Sequence, residues 1–254
     1  MTAWKWRLAM REMSNEDFRV FRIGGMAAIV GSLLGMVGNL MHPVTPIGNP
    51  KGVARVIAES GIWVPVHLAI VLGIVLMLGG LLALRHSIRD GLAGALARFA
   101  LIAAVAGAAI GLVLVILDGV AARQLAQEWA AAAPEGRELA LGLVQTNETI
   151  NFALASLFNV VFAAATFILY GLAVAVGDAY PRWLGWVAVG AGVLSVGAGA
   201  IQASIGEPTD ATRVLTIIGP TVITLWLLVM GMLLLRKARE TPVRAVRAEE
   251  RSAA

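Results

Sequence analysis

Apolar residues form six long runs in this chain, and none of the runs alternates polar and apolar side chains as a β-strand does. The runs cover residues 23–41, 63–84, 99–117, 151–176, 184–204 and 214–235. A helix needs about 20 residues to cross the ~30 Å hydrocarbon core of a bilayer. Since backbone polar groups in lipid must be hydrogen-bonded internally, and since the pattern lacks the period of a barrel strand, the sequence predicts six transmembrane helices.

The composition agrees with this prediction. Hydrophobic residues make up 59% of the chain, charged residues 14%, and the mean hydropathy is +0.81. Soluble domains are about 45–50% apolar and about 25% charged. The fold class predicted is therefore an all-α integral membrane protein. Cysteine is absent, which excludes disulfides, thiolate metal sites and covalently attached haem.

The positive charges predict the orientation of the helices. Fifteen of the 20 Lys and Arg residues fall in the N-terminal segment, the second–third and fourth–fifth connections, and the C-terminal tail, and five fall in the other connections. Because Lys and Arg are retained on the cytoplasmic side, this predicts three helical hairpins with both termini cytoplasmic. The net charge of +4 is explained by orientation, and no nucleic-acid partner is expected.

The chain divides into three parts on this basis. Residues 1–22 are a predicted cytoplasmic interfacial segment, 23–237 the six-helix domain, and 238–254 a charged tail whose composition predicts disorder. The outer connection 119–150 reads as two Ala-rich helices separated at Pro134. The stretch GVARVIAES in the first loop predicts a further short helix.

The odd-numbered spans share a spacing. An arginine precedes each of them, and a polar residue follows that arginine by twenty positions. The arginines are Arg22, Arg98 and Arg182, and the polar residues are His42, Asp118 and Gln202. Small residues four apart also recur, at Gly31/Gly35, Gly107/Gly111 and Ser195/Gly199. Such pairs favour close helix packing in lipid, which predicts that the odd helices form the tight centre of the bundle.

Polar residues gather at the outer ends of the spans, where they predict a pocket open to that side. Candidate metal ligands are His42, His67, Asp118 and Glu148, and candidate ligand-binding amides are Asn147, Asn151, Asn159 and Gln202. At 100° per residue, Glu148, Asn151, Asn159, Thr166 and Tyr170 share one face of the fourth span, which should point into the bundle.

Three interpretations of this pocket are open. Two imidazoles and two carboxylates suit a divalent metal such as zinc, copper or iron, and haem b between His42 and His67 is a variant. Ionisable groups in spans also mark the routes of solute or proton-coupled carriers. In the third interpretation the polar residues are half-solvated helix ends. Asp118 is then a helix terminus, with Gly119 as C-cap, that pairs with Arg123 or Arg137.

Under the third interpretation, which the sequence favours, the protein is a non-catalytic accessory or binding subunit. It would assemble with a membrane partner, or with itself, through its Gly-rich helix faces. The sequence has no GxGxxG loop and no HExxH motif, so the prediction leans against an enzyme.

Several stretches resemble a group of multi-pass bacterial membrane proteins that are classified as a domain of unknown function. They are FRIGGMAAIVGSLLGMVGNLMHP at 21–43, LDG at 117–119, QLAQEWAAAAPE at 124–135 and YPRWLGWVAVGAGVLS at 180–195. The resemblance extends over about residues 20–237. It implies six helices and a bacterial cytoplasmic membrane, and it implies no activity for individual residues.

Overall fold

Nine α-helices and two π-helical segments make up the fold in a computed structural model, which describes residues 15–206 and 209–252, with side chains at 16–206, 209–212 and 214–239. The α-helices are α1 Asn15–Met41, α2 Pro50–Glu59, α3 Trp63–Ser87, α4 Gly91–Ile116, α5 Ala122–Ala131, α6 Arg137–Phe158, α7 Phe167–Val176, α8 Arg182–Ile205 and α9 Asp210–Ser252. The segment π1, Leu117–Ala121, joins α4 to α5, and π2, Asn159–Thr166, joins α6 to α7.

Six continuous helices are long and apolar enough to cross a membrane, which confirms the predicted class and number of spans. They are Glu16–Met41, Trp63–Ser87, Gly91–Ala131, Arg137–Val176, Arg182–Ile205 and Asp210–Arg239. Within the described residues there is no β-strand. The chain is therefore an all-helical protein with six candidate membrane spans.

The spans pack in chain order, each against the next, and α9 returns to contact α1. The expectation that the odd spans form the centre is wrong, because their small residues face even-numbered neighbours. A Cβ on Gly31 would lie 2.7 Å from the Met77 nitrogen of α3, and one on Gly107 would lie 2.5 Å from the Phe162 Cβ of π2. Glycine lets consecutive helices approach closely, so the small residues tighten the contacts between neighbours.

The middle of the bundle is filled by aromatic side chains. Phe158 stacks on Phe162, which contacts Phe167 edge-on, and Phe167 contacts Trp226 in the same way. Phe162, Phe167 and Trp226 are buried. These contacts close the centre of the bundle.

The predicted polar face of the fourth span does point inward. Asn151, Asn159, Thr166 and Tyr170 are all buried, and the Tyr170 hydroxyl donates to the Leu81 carbonyl at 2.8 Å.

Two predictions of local helix structure between the spans are confirmed. Helix α2 forms in the first loop, where Pro50 occupies its first position and the Asn49 side chain accepts from the Gly52 nitrogen at 2.9 Å. The outer connection breaks between Ala131 and Arg137, around Pro134.

Helix α9 continues to Ser252, through much of the tail for which the composition predicts disorder. The tail is rich in Ala, Arg and Glu, which are strong helix formers. Of the predicted interfacial segment, residues 1–14 lie outside the described part of the chain.

Candidate metal centre

Three side chains, one directly after α1, one from α3 and one from π1, bring one ligand atom each to a common point. His67 Nε2 lies 3.1 Å from Asp118 Oδ2 and 3.3 Å from His42 Nε2, and His42 Nε2 lies 3.8 Å from Asp118 Oδ2. Among the described residues, these three side chains form a group whose potential ligand atoms lie close enough together to hold a metal ion. We call His42, His67 and Asp118 the outer triad.

His42 and His67 reach the triad from opposite sides of the first loop. His42 directly follows the end of α1 at Met41, and Pro43 excludes helical geometry for the residue before it, as the sequence predicted. His67 lies about one turn inside α3, which begins at Trp63.

Asp118 belongs to π1, so the predicted helix end with Gly119 as C-cap is wrong, and the helix continues through a π-helical turn into α5. A Cβ on Gly119 would lie 2.4 Å from the Cβ of His67. Glycine is therefore required here for close approach to α3. Single π-helical turns are frequent at functional sites, where the wider turn redirects a side chain.

Backbone carbonyls fix the tautomer of both imidazoles. His67 Nδ1 lies 2.7 Å from the Trp63 carbonyl oxygen, and His42 Nδ1 lies 3.0 Å from the Pro43 carbonyl oxygen. A carbonyl oxygen can only accept, so each Nδ1 carries the proton and donates it. Each ring therefore turns its Nε2 towards the other ring and towards the Asp118 carboxylate, where it is a lone-pair ligand when the ring is neutral and a donor to Asp118 when the ring is protonated.

Trp63, which is not among the site residues predicted from the sequence, holds the outer triad together. Its ring centroid lies 4.9 Å from the ring centroids of both His42 and His67. Its Nε1 donates to the Asp118 backbone carbonyl at 2.8 Å, and its own carbonyl accepts from His67. The spacing of four residues between Trp63 and His67, which places them on one face of a helix, was the available indication.

The two short outer helices cover one side of the site. Val53 and Ile57 of α2 pack with Trp63 and with Ala122 and Ala126 of α5. The triad lies beneath this contact but keeps an open side. The His67 side chain is 2% exposed, whereas those of His42 and Asp118 are 29% and 31% exposed.

The predicted pairing of Asp118 with Arg123 or Arg137 is not observed. The Arg123 guanidinium donates to the Ile57 carbonyl, which ties α5 to α2. The Arg137 guanidinium donates to the Ala130 carbonyl at 3.3 Å and lies over the Trp129 ring. Among the described residues, the ion-pair partners of Asp118 are the two histidines.

Asn151 borders the outer triad and has an unused acceptor. Its Nδ2 lies 3.5 Å from Asp118 Oδ1, its side chain is 5% exposed, and its Oδ1 is buried without a hydrogen bond. Glu148, one turn earlier on α6, interacts electrostatically with Asp118 but does not belong to the group of converging ligand atoms.

The other predicted amides lie away from the converging atoms. Asn147 Nδ2 donates to the Leu117 carbonyl at 3.4 Å, and Gln202 Nε2 donates to the Phe152 carbonyl at 3.3 Å. Asn159 lies eight residues beyond Asn151, about 12 Å deeper at 1.5 Å per residue, where it packs against Gly199.

The spacing of the triad suits a small ion. Ligand atoms about 2.0–2.1 Å from a tetrahedral zinc are about 3.3–3.4 Å apart, and the three separations here lie between 3.1 and 3.8 Å. Axial haem ligands would instead stand about 4 Å apart with a porphyrin between them. The two Nε2 atoms are 3.3 Å apart and Asp118 Oδ2 lies 3.1 Å from one of them, which leaves no room for a porphyrin between the rings, so the geometry favours a metal ion over haem.

Comparisons with known proteins add no assignment, since no protein-family model, curated protein or solved structure matches this chain.

Proposed function

We propose that this chain is a multi-pass membrane protein that binds a divalent first-row metal ion at the outer triad. In this proposal the six spans form three hairpins with both termini in the cytoplasm of a bacterial cell. The asymmetry of 15 against 5 Lys and Arg residues supports that orientation, in which the triad lies on the extracytoplasmic side of the cytoplasmic membrane.

The convergence of three ligand atoms is the observation that carries the proposal. With both Nδ1 protons donated to backbone carbonyls, the two Nε2 atoms and Asp118 Oδ2 face one another within 3.8 Å. The carboxylate is balanced either by a proton on an imidazole, which then donates to Asp118, or by a metal ion that all three atoms bind. Metal-bound histidines commonly donate the other ring N–H to a carbonyl or carboxylate, which is the arrangement of both imidazoles here.

The ligand set favours zinc or another borderline ion. Two imidazoles and one carboxylate suit Zn²⁺, Cu²⁺ or Fe²⁺, whereas Mg²⁺ and Ca²⁺ prefer oxygen ligands. Three protein ligands leave a fourth tetrahedral position free. The exposed side of His42 and Asp118 gives water access to that position.

A carrier function receives less support from the structure. A transported solute or proton would need a route from the outer triad past Asn159. The stacked Phe158 and Phe162, with the buried Phe167 and Trp226, fill the bundle at that depth. The metal centre is therefore a binding site at one end of a closed bundle.

The experiment is metal analysis of the full chain, purified in detergent with a tag that contains no histidine. After chelation, the protein is titrated with Zn²⁺, Cu²⁺ and Mg²⁺ by calorimetry, and an absorption spectrum is recorded before chelation. We expect one Zn²⁺ or Cu²⁺ per chain, weak Mg²⁺ binding and no Soret band. Substoichiometric binding of every ion would overturn the proposal, and a Soret band would restore the haem alternative.

An accessory role in a membrane complex is the second candidate, and one face of α8 favours it. Gly190 and Gly197 face open space, unlike the glycines that pack within the bundle, and Trp183 and Trp186 on the same helix are about 60% exposed. Such a face suits close approach by another helix. Cross-linking from a cysteine placed at position 190 in native membranes would capture that helix, and no cross-link would argue for lipid contact alone.

A further inference from the structure

A groove opens between α1 and α9 at the end of the bundle opposite the outer triad. It has a volume of about 370 Å³ and is lined by Phe18, Arg22 and Met26 of α1 and by Leu235, Ala238 and Arg239 of α9. These residues follow helical spacing on both helices, so each helix presents one face to the groove.

Close contact of α1 with α9 closes one end of this groove. A Cβ on Gly25 would lie 2.9 Å from the Gly231 carbonyl oxygen, and a Cβ on Gly231 would lie 2.9 Å from the Ala28 Cβ. The Leu235 side chain packs against Gly25 at this contact, and Phe18 lies further towards the N-terminus of α1, where it forms part of the groove wall.

The groove is amphipathic along its length. Met26 and Leu235 line its deeper part, and Met26 is 46% exposed on the membrane side of the bundle. Arg22 and Arg239 line the shallower part, and both are exposed. Within the part of the chain whose side chains are described, neither guanidinium forms an ion pair.

The acidic side chain nearest along α1 is occupied elsewhere. Asp17 pairs with His86 and Arg89 on the side of α3. Arg22 and Arg239 therefore present two positive charges beside an apolar wall, near the ends of two candidate membrane spans.

We propose that this groove binds one anionic phospholipid, with its phosphate between Arg22 and Arg239 and an acyl chain along Met26 and Leu235. Guanidinium groups bind phosphate through paired N–H donors, and basic pockets between transmembrane helices bind anionic headgroups. The volume is sufficient for a headgroup with the first part of a chain, since ligand sites begin at about 300 Å³. A zwitterionic lipid gains less because its amine is repelled by the same two charges.

The test is native mass spectrometry of the full chain in detergent, with dioleoylphosphatidylglycerol or dioleoylphosphatidylcholine added at equal concentration. Wild-type protein is expected to retain one phosphatidylglycerol in preference to phosphatidylcholine. Each juxtamembrane arginine contributes about fivefold in affinity for anionic lipid. The double variant Arg22→Gln/Arg239→Gln should therefore bind phosphatidylglycerol about 25-fold more weakly.

Matched variants separate this site from general charge attraction. Arg19→Gln/Arg98→Gln removes the same charge from exposed positions outside the groove and should keep the preference. Arg22→Lys/Arg239→Lys keeps both charges and should bind within a few-fold of wild type, which shows that a loss in the Gln variant is not misfolding.

Three results would overturn the proposal: equal retention of the two lipids by wild type, an equal loss in the Arg19/Arg98 variant, or complete displacement of the lipid by inorganic phosphate at the same concentration. Circular dichroism and gel filtration of every variant check that the bundle is intact.

Discussion

The two ends of the bundle carry similar side chains in opposite electrostatic situations. At the outer end, the outer triad joins two imidazoles to one carboxylate. At the other end, the Asp17 carboxylate lies 2.6 Å from His86 Nε2 and forms an ion pair with the Arg89 guanidinium. We call Asp17, His86 and Arg89 the inner triad. Asp17 is 8% exposed and Asp118 31% exposed.

The difference lies in where the positive charge comes from. In the inner triad, Arg89 is always protonated and supplies the charge that balances Asp17. In the outer triad a second histidine takes the place of the arginine, and its Nε2 has no proton of its own to donate when the ring is neutral. A carboxylate beside arginine is balanced by a permanent charge, whereas a carboxylate beside two imidazoles is balanced only when a ring takes up a proton or a metal ion binds.

The largest expected effect comes from removing one histidine at each end. His67→Ala should weaken zinc binding more than 100-fold, since loss of a direct ligand exceeds the 10- to 100-fold loss seen for outer partners. His86→Ala should leave zinc affinity unchanged, because that imidazole serves an ion pair at the far end. Calorimetric titration of both chelated variants provides the measurement, and an equal loss in both would show that the metal binds elsewhere.

Acidification should act on the outer triad through competition between protons and metal. Metal ligation requires a bare Nε2, and ordinary imidazoles take up a proton near pH 6.5. Zinc affinity should therefore fall as pH decreases, by about 10- to 100-fold between pH 6 and pH 5 for one or two imidazoles. Titrations at pH 7, 6 and 5 test this, and a flat profile would indicate that histidine is not a ligand.

A side chain added at Gly119 should destabilise the protein, because Gly119 packs directly against His67. A methyl group at Gly119 would lie 2.4 Å from the His67 Cβ, so Gly119→Ala should lower the free energy of unfolding by about 1–3 kcal/mol. It should also weaken zinc binding. Gly142→Ala is the matched control, since Gly142 is helical with nothing within 4 Å of an added Cβ, and it should raise stability by up to about 1 kcal/mol. Denaturant titration in mixed micelles measures both.

Removing the negative charge of Asp17 from the inner triad should lower stability without changing metal binding. Asp17→Asn weakens the charged hydrogen bonds to His86 and Arg89, and we expect a loss of about 1–2 kcal/mol after allowance for the exposed Arg89. Zinc affinity should not change. If this variant also bound zinc more weakly, the two ends of the bundle would be coupled, which would contradict the independence of the two triads.

The smallest effect is expected near the inner triad, at Tyr180. Its hydroxyl lies 2.6 Å from Ser87 Oγ, and because Ser87 donates to the Leu84 carbonyl, Tyr180 must be the donor. Burial raises the pKa of Tyr180 to about 12.

An acid whose pKa is raised on folding binds more protons in the native state. Stability should therefore be constant up to about pH 10 and fall above it by at most about 1.4 kcal/mol per pH unit. Tyr180→Phe should flatten this slope, and thermal unfolding between pH 9 and pH 11 measures it. The same slope in both proteins would assign the loss to other groups.

Local rules explain why so much of the fold was predictable. Length and apolarity of a run are properties of adjacent residues, and they predicted six spans, the helix in the first loop and the break at Pro134. The inward face of the fourth span followed from helical periodicity. The order in which the helices pack could not be predicted from the sequence, because a glycine such as Gly107 packs equally well against any helix that approaches it.

The candidate site was predictable only as a set of residues at one end. The sequence predicted that His42, His67 and Asp118 lie at the same membrane face. It also predicted Glu148 as a metal ligand and Gln202 with three asparagines as ligand-binding amides, and no local pattern shows which of these side chains meet. Trp63 and Gly119 were missed as parts of the site, since an interfacial tryptophan and a glycine near a helix end have common explanations that involve no site.

The sequence by itself determined that this chain consists of six apolar helices with ionisable groups at their ends, because the cost of polar groups in lipid acts residue by residue. Only the tertiary structure decided which of those groups meet. The wide turn at π1 aims Asp118 towards α3, Gly119 allows the contact, and the carbonyls of Trp63 and Pro43 take up the Nδ1 protons. The direction of a lone pair depends on distances between atoms far apart in the chain, and no local pattern contains them.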